Sequence, residues 1–342
     1  MACALPLPSP PAIYASTTSG APAATTTSPD QGPGPESVFA AQQTDTGSLP
    51  RPWVAGWASA FFPGGGFFYL HRPGTGLGYL GVESLELGGV IAAVANSGYD
   101  SHDATTNDRL NRLLLPGIWL QDTHALGIYD AYRAARIARK NLGYSTPVPE
   151  PGLAGLMLAP LEGHTLIRAR VAIPLAITAT GGVAFSLWFR AHHPADAPTA
   201  WERSRAPLLS RSTPIGGAFA ANEANYAGTF YAVGIGEEAL FRGVLQTTFD
   251  EWFGTVPGLL AGSAIFGLAH FINDPTHPLL AAGNVGFTAV LGTYLGWMYL
   301  DDGYDLRASV ALHVWYDFLV GTSYFLVDPK HQPLSASITI PF

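Results

Sequence analysis

An all-α fold, a polytopic transmembrane helical bundle of about eight helices, is predicted by three features of the 342-residue sequence. Hydrophobic residues make up 48% of it. Charged residues make up only 12%, about half the ~25% of an average soluble domain. The apolar residues gather into runs of roughly 20, the length a helix needs to cross a hydrocarbon core about 30 Å thick. No period-two alternation of useful length and no internal repeat compete with this reading. The net charge of −8 is spread over loops and the tail, which argues against a nucleic-acid partner. A single cysteine, Cys3, excludes intrachain disulfides and Cys-based zinc sites.

Residues 1–50 are rich in Pro, Ser, Thr, Ala and Gly and hold no Lys or Arg. Such a segment cannot bury enough apolar surface to fold, so a disordered tail is expected. It also lacks the charged start and apolar run of a signal peptide. Residues 51–145 form an expected N-terminal transmembrane module of about three helices. Trp53–Leu70 and Leu77–Asn96 are joined by the turn His71-Arg72-Pro73-Gly74-Thr75-Gly76. Their glycines suit close helix approach. A third segment, about Leu113–Tyr132, ends in Arg133, Arg136, Arg139 and Lys140, which marks a cytoplasmic end. Residues 146–164 read as a linker. Its apolar stretch, Leu153–Leu161, is too short to span.

A second unit is expected over 165–330, with a tail at 331–342. Its segments are about Ile167–Phe189, Ala224–Gln246, Val256–Ile272, Leu279–Leu300 and Ala308–Val327. A polar, Pro-rich connection fills about 190–223.

The chemistry-bearing residues lie in three of these segments. Gly236-Glu237-Glu238-Ala239-Leu240-Phe241-Arg242 sits in the first, Phe266-Gly-Leu-Ala-His270 in the next, and His313-Val-Trp-Tyr-Asp317 in the last. Ionisable groups are costly inside a membrane and are functional candidates by default. Residues four apart share a helix face, so Glu238 pairs with Arg242 and His313 projects with Asp317. Glu237 points about 100° away from Glu238, free to face another helix. A carboxylate in apolar surroundings suits general-base chemistry on water. Two histidines converging on it could orient the water, donate to an oxyanion, or bind a metal. No His-Glu-x-x-His is present, so the usual zinc-protease arrangement is absent. Glu83 and Glu86, three apart in the second segment, are expected to line a helix interface or polar cavity. His102, His192, His193 and His277 are expected in solvated loops.

Glu-Glu-x-x-x-Arg, then Phe-x-x-x-His, then His-x-x-x-Asn/Asp, each in an apolar helix, resembles the CPBP family. This comprises CAAX prenyl endopeptidases and bacteriocin-processing or immunity proteins, also called Abi. The order and the gaps, 28 residues from Arg242 to His270 and 43 from His270 to His313, fit as well. The resemblance covers about 165–330. It implies that Glu237 activates water, that Glu238 and Arg242 organise it, and that His270 helps to position the water. It further implies that His313 and the residue at 317 stabilise the oxyanion. Here Asp317 stands where the family more often has Asn. An amide donates to an oxyanion and an ionised carboxylate repels it. Asp317 must therefore be protonated, orient His313, or bind a cation.

The function implied is an intramembrane endopeptidase acting on a membrane-anchored peptide or protein, in contact with the lipid bilayer and no nucleic acid. The expected location is a bacterial inner (cell) membrane. The alternative class is a non-catalytic scaffold or immunity protein, or a proton-coupled transporter, because intramembrane Glu and His also build proton relays. No cofactor is expected. Zinc held by His270, His313 and Glu237 is the alternative, opposed by the positive charge of Arg242 beside the carboxylates.

Overall fold

The structure, a computed structural model, describes residues 49–96, 106–192, 205–208, 211–273 and 278–327. The expected tails at 1–50 and 331–342 fall outside it, apart from residues 49 and 50. Cys3, His102, His193 and His277 also lie outside the described residues.

Each of the eight predicted segments is helical, and the first is broken. Trp53–Leu70 divides into α1 (Pro52–Phe61) and α2 (Gly65–Tyr69). The break falls at Gly64, whose φ of 71° is a left-handed conformation that other side chains rarely adopt. Next come α3 (Pro73–Asn96) and α4 (Thr106–Ala138). The linker holds two short helices, α5 (Leu153–Leu158) and α6 (Gly163–Leu166), and a 3₁₀ turn between them. Then follows α7 (Ala169–His192), so His192 ends a helix rather than lying in a loop.

The connection read as irregular contains a two-stranded antiparallel hairpin, β1 (Arg205–Leu208) with β2 (Arg211–Pro214). Four-residue strands leave no readable period-two signal. From Ile215 the chain is helical without a break to Phe253: α8 (Ile215–Glu238), a π-helical stretch (Ala239–Gln246) and α9 (Thr247–Phe253). The series closes with α10 (Thr255–Ala269), a 3₁₀ turn (His270–Asn273), α11 (Pro278–Asp301) and α12 (Arg307–Val327).

Among the described residues, four helices are long and apolar enough to cross a membrane: Pro73–Ala95 of α3, then α7, α11 and α12. The fifteen residues of α10 fall short of the ~20 a span needs. The long helices α4 and α8 carry polar groups that the bundle buries, among them Asp122, Arg136, Asn222 and Glu238. Large apolar side chains such as Leu85, Ile91, Ile177, Leu187 and Val290 remain exposed on the outer helices. Water does not tolerate so extensive an apolar surface, and hydrocarbon does. The protein is an integral membrane helical bundle.

The core positions the site. Tyr129 of α4, Ile235 of α8, Ala239, Tyr299 of α11 and Val310 and Val314 of α12 form one buried cluster with Leu156 and Leu306. It ties α4 to the helices that carry the motifs, and α4 packs along both α8 and the π-helical stretch. Of the basic cluster at the end of α4, Arg136 is buried, not free at the surface. Its guanidinium bonds Asn141, Tyr132 and Thr146 and lies 3.9 Å from the Tyr144 ring centre.

Beside it Glu251 of α9 clasps the loop after α4. It accepts from the Ser145 N–H at 3.0 Å, the Ser145 hydroxyl at 2.9 Å, the Thr146 N–H at 2.7 Å and the Thr146 hydroxyl. Burial opposes the charged form of Glu251, but these donors outweigh it and hold the carboxyl below the usual range. A depressed carboxyl stabilises the fold above its unfolded pKa of about 4.3, and the benefit is lost as pH falls through the folded value. Glu251→Ala is expected to cost about 1–3 kcal/mol at pH 7, since it strands several donors. The difference in melting temperature from wild type should shrink as pH falls below 4.3.

Candidate active site

Two glycine notches on α8 set the site. A Cβ at Gly234 would stand 2.6 Å from the Val314 side chain and 2.8 Å from its backbone nitrogen. Only glycine lets α12 come this close, and the approach brings His313 against α8. Two residues on, a Cβ at Gly236 would stand 2.8 Å from both Cβ and Oδ1 of Asp122. This notch seats α4 immediately before Glu237. Directly after Glu238 the backbone widens into the π-helical stretch. π-Helical insertions occur mostly at functional sites. Here the stretch sends Arg242 and Gln246 to the carbonyls of Gly292 and Gly296 on α11, at 3.1 and 3.2 Å.

The expected pair forms: Arg242 Nη1 donates to Glu238 Oε1 at 2.8 Å. That same oxygen lies 2.9 Å from His313 Nδ1. Glu238 already accepts from Arg242, so the ring nitrogen facing it carries the hydrogen. Arg242 also stacks over Phe266, with the guanidinium carbon 4.1 Å from the ring centre. Phe266 in turn touches His270 at 4.7 Å and His313 at 5.9 Å between ring centres. One aromatic ring therefore organises the Arg and both His. His270 Nδ1 lies 2.8 Å from the Phe266 carbonyl. A carbonyl only accepts, so His270 Nδ1 is protonated and Nε2 is left as an acceptor in the neutral ring.

The far nitrogen of His313, Nε2, lies 3.8 Å from Glu237 Oε2 and 3.4 Å from Asp317 Oδ2. Exposure separates the roles. The Glu238, Arg242 and His313 side chains are 0%, 2% and 3% exposed, whereas Glu237 and Asp317 reach 16% and 22%. Glu237 Oε2 has no hydrogen-bond partner among the described residues. The site thus has a locked layer, Glu238–Arg242–His313, and an accessible layer, Glu237 with Asp317. All six residues expected from the motifs lie in this one region. His270 reaches it through the Phe266 ring and lies within electrostatic reach of Glu237.

Sequence reasoning assigned no role to Asp122, which is 1% exposed beside Gly236. The signal was present: Gln121-Asp122-Thr123-His124 interrupts an otherwise apolar segment. A second polar cluster flanks it. Glu83 pairs with His124 at 2.8 Å and Glu86 accepts from Thr123 at 2.7 Å. Glu83 and His124 also line a cavity of about 490 Å³ with Pro63, Leu80 and Leu120. The expected placement of Glu83 and Glu86 at an interface or cavity therefore holds.

A zinc ion would need three or four ligands at close range. Among the described residues no group of three or more His, Cys, Asp or Glu is arranged to hold a metal ion. Moreover, His313 Nδ1 and Glu238 Oε1 are committed to each other and to Arg242.

A buried carboxylate–histidine–arginine centre in a membrane bundle marks a candidate functional site. Residues 223–319 match the family model described as type II CAAX prenyl endopeptidase Rce1-like. Over that segment, less than a third of the chain, the protein is similar to CAAX prenyl proteases of this type. No curated protein and no solved structure matches the chain.

Proposed function

We propose that this protein is an intramembrane endopeptidase that hydrolyses a peptide bond with water activated by Glu237. One observation carries the reading. Of two adjacent glutamates in an apolar bundle, Glu238 is fully buried and fixed by Arg242 and His313, while the Glu237 side chain is partly exposed. A base must reach its water, and a positioned base contributes about 10²–10⁴-fold.

Glu237 takes a proton from water as the oxygen bonds to the scissile carbonyl carbon. The carbonyl π-electrons move onto its oxygen. Collapse of the resulting intermediate breaks the C–N bond, and the proton returns from Glu237 to the leaving amine. His270, held against the Phe266 ring at the edge of the site, helps to position the water. His313 faces the same space through Nε2, where a protonated nitrogen donates to an oxyanion. Of the three roles open to Asp317, the 3.4 Å contact with His313 Nε2 supports orientation of that ring. The proposed substrates are membrane-anchored peptides or proteins, and the proposed setting is a bacterial inner (cell) membrane.

The test is cleavage by purified full-length protein of a panel of membrane-anchored peptides, one arm carrying a prenylated CAAX terminus, with products mapped by mass spectrometry. Cleavage is expected from wild type. Its absence across the panel, with pH-dependent proton flux in liposomes instead, would replace the peptidase by a proton-coupled transporter.

No step in this scheme needs a metal, so cleavage is expected to survive exhaustive chelation. Near-stoichiometric zinc in active protein, with activity lost on chelation and restored by zinc alone, would recast His270, His313 and Glu237 as ligands.

A further inference from the structure

We infer that Asp122, on α4 and outside the segment matched to the protease family, is a positioning residue that holds the attacking water jointly with Glu237. Three observations support this, and the inference rests on the peptidase reading above.

The first is place. Asp122 is 1% exposed, and its Cβ and Oδ1 would meet any side chain put on Gly236, the residue before Glu237. It lies within electrostatic reach of Glu237, His313, Asp317 and Glu86. A carboxylate from the N-terminal module therefore borders the catalytic enclosure directly.

The second is the hydrogen-bond account. Among the described residues neither oxygen of Asp122 has a partner, and neither does Glu237 Oε2. Buried polar groups are almost always satisfied, so three unmet acceptors on two neighbouring helices call for a donor. The described residues supply none there. A carboxylate only accepts when ionised, and water brings two donors. One water donating to both Glu237 and Asp122 satisfies an acceptor on each helix and fixes the direction of its lone pairs.

The third is the cost of the arrangement. Most of the α4 side chains buried in the bundle are apolar or aromatic, among them Ala125, Tyr129, Ala131 and Ala135. An acid there, fitted into a glycine notch, is expensive to keep inside a membrane. Neighbouring Thr123 and His124 have partners of their own in Glu86 and Glu83, and neither serves Asp122.

The experiment uses full-length protein and the peptide panel, comparing wild type, Asp122→Asn, Glu237→Gln and the double variant. Asparagine keeps the shape of aspartate but turns one acceptor into a donor. The expected result for Asp122→Asn is a kcat lowered about tenfold to a hundredfold, as for a misplaced reactant. KM should stay within about twofold, because substrate contacts are intact, and the melting temperature should not move. Both residues act on one water, so the double variant should be no slower than Glu237→Gln alone.

Wild-type kcat in Asp122→Asn overturns the inference. So do losses that multiply in the double variant, the pattern of a merely structural residue. If Asp122→Asn loses cooperative melting, Asp122→Ser replaces it under the same criteria. Wild-type cleavage by Glu237→Gln would instead reject Glu237 as the base. No cleavage by wild type would reject the peptidase reading and this inference together.

Discussion

Glu237→Gln is expected to lower kcat by about 10²–10⁴-fold, the range removed with a general base, while KM and melting temperature stay near wild type. The separation follows from the geometry. Glu237 lies 3.8 Å from His313 Nε2, too far for a hydrogen bond, and its Oε2 has no partner. Replacing that oxygen by an amide of the same shape breaks no bond that holds the fold. It removes only the ability to take a proton from water. The neighbouring glutamate behaves differently. Glu238→Gln leaves Arg242 buried without its counter-charge, so it should reduce stability and activity together. The contrast between adjacent residues is the informative measurement. Rates of peptide cleavage and thermal unfolding on the two variants provide it. Equal cleavage by wild type and Glu237→Gln removes Glu237 as the base. Equal loss of stability in both variants removes the division into a locked and an accessible layer.

Much of this site was legible because helical spacing is a strong constraint. Glu238 with Arg242 and His313 with Asp317 are four apart, and both pairs meet in the structure. Arg242 lies inside the π-helical stretch, yet the first pair still meets at 2.8 Å. The helix positions were legible for a similar reason: long apolar runs leave few alternatives in a membrane. The break at Gly64 was not legible, since it depends on a backbone conformation. Nor was the burial of Arg136. In sequence it looks like one of four surface cations, and its partners Asn141 and Thr146 come from a turn whose path tertiary packing decides. Asp122 was hidden by distance along the chain. Periodicity relates residues within one helix, whereas the contact with Gly236 joins helices more than a hundred residues apart in sequence. The resemblance did not help there, because it covers only the second half of the chain.

Arg242→Met should cost about 3–5 kcal/mol of stability, the penalty for leaving one partner of a buried ion pair uncompensated. The side chain is 2% exposed and does three things at once. It neutralises Glu238 at 2.8 Å, bonds the Gly292 carbonyl at 3.1 Å and covers Phe266 at 4.1 Å. Methionine keeps the packing volume over Phe266 and loses the other two, so the deficit measures electrostatics and not a cavity. Activity should fall with it, because Glu238, which faces His313 Nδ1 at 2.9 Å, loses the Arg242 bond that fixes its own carboxylate. Arg242→Lys is not conservative here: an ammonium has no planar fork to serve Glu238 and Gly292 together.

The decisive variant is the double, Glu238→Gln with Arg242→Met. It has no buried unpaired charge, and the glutamine oxygen still accepts from His313 Nδ1. Replacing both members of a buried pair is often neutral where removing one is severe. The double variant should therefore recover most of the lost melting temperature. Its kcat should stay depressed, because the negative charge that steadied His313 for oxyanion stabilisation is gone. Recovery of both quantities would make the pair purely structural. A double variant as unstable as Arg242→Met alone would mean that the guanidinium acts mainly through Gly292 and Phe266, as a strut between helices and not as the partner of Glu238.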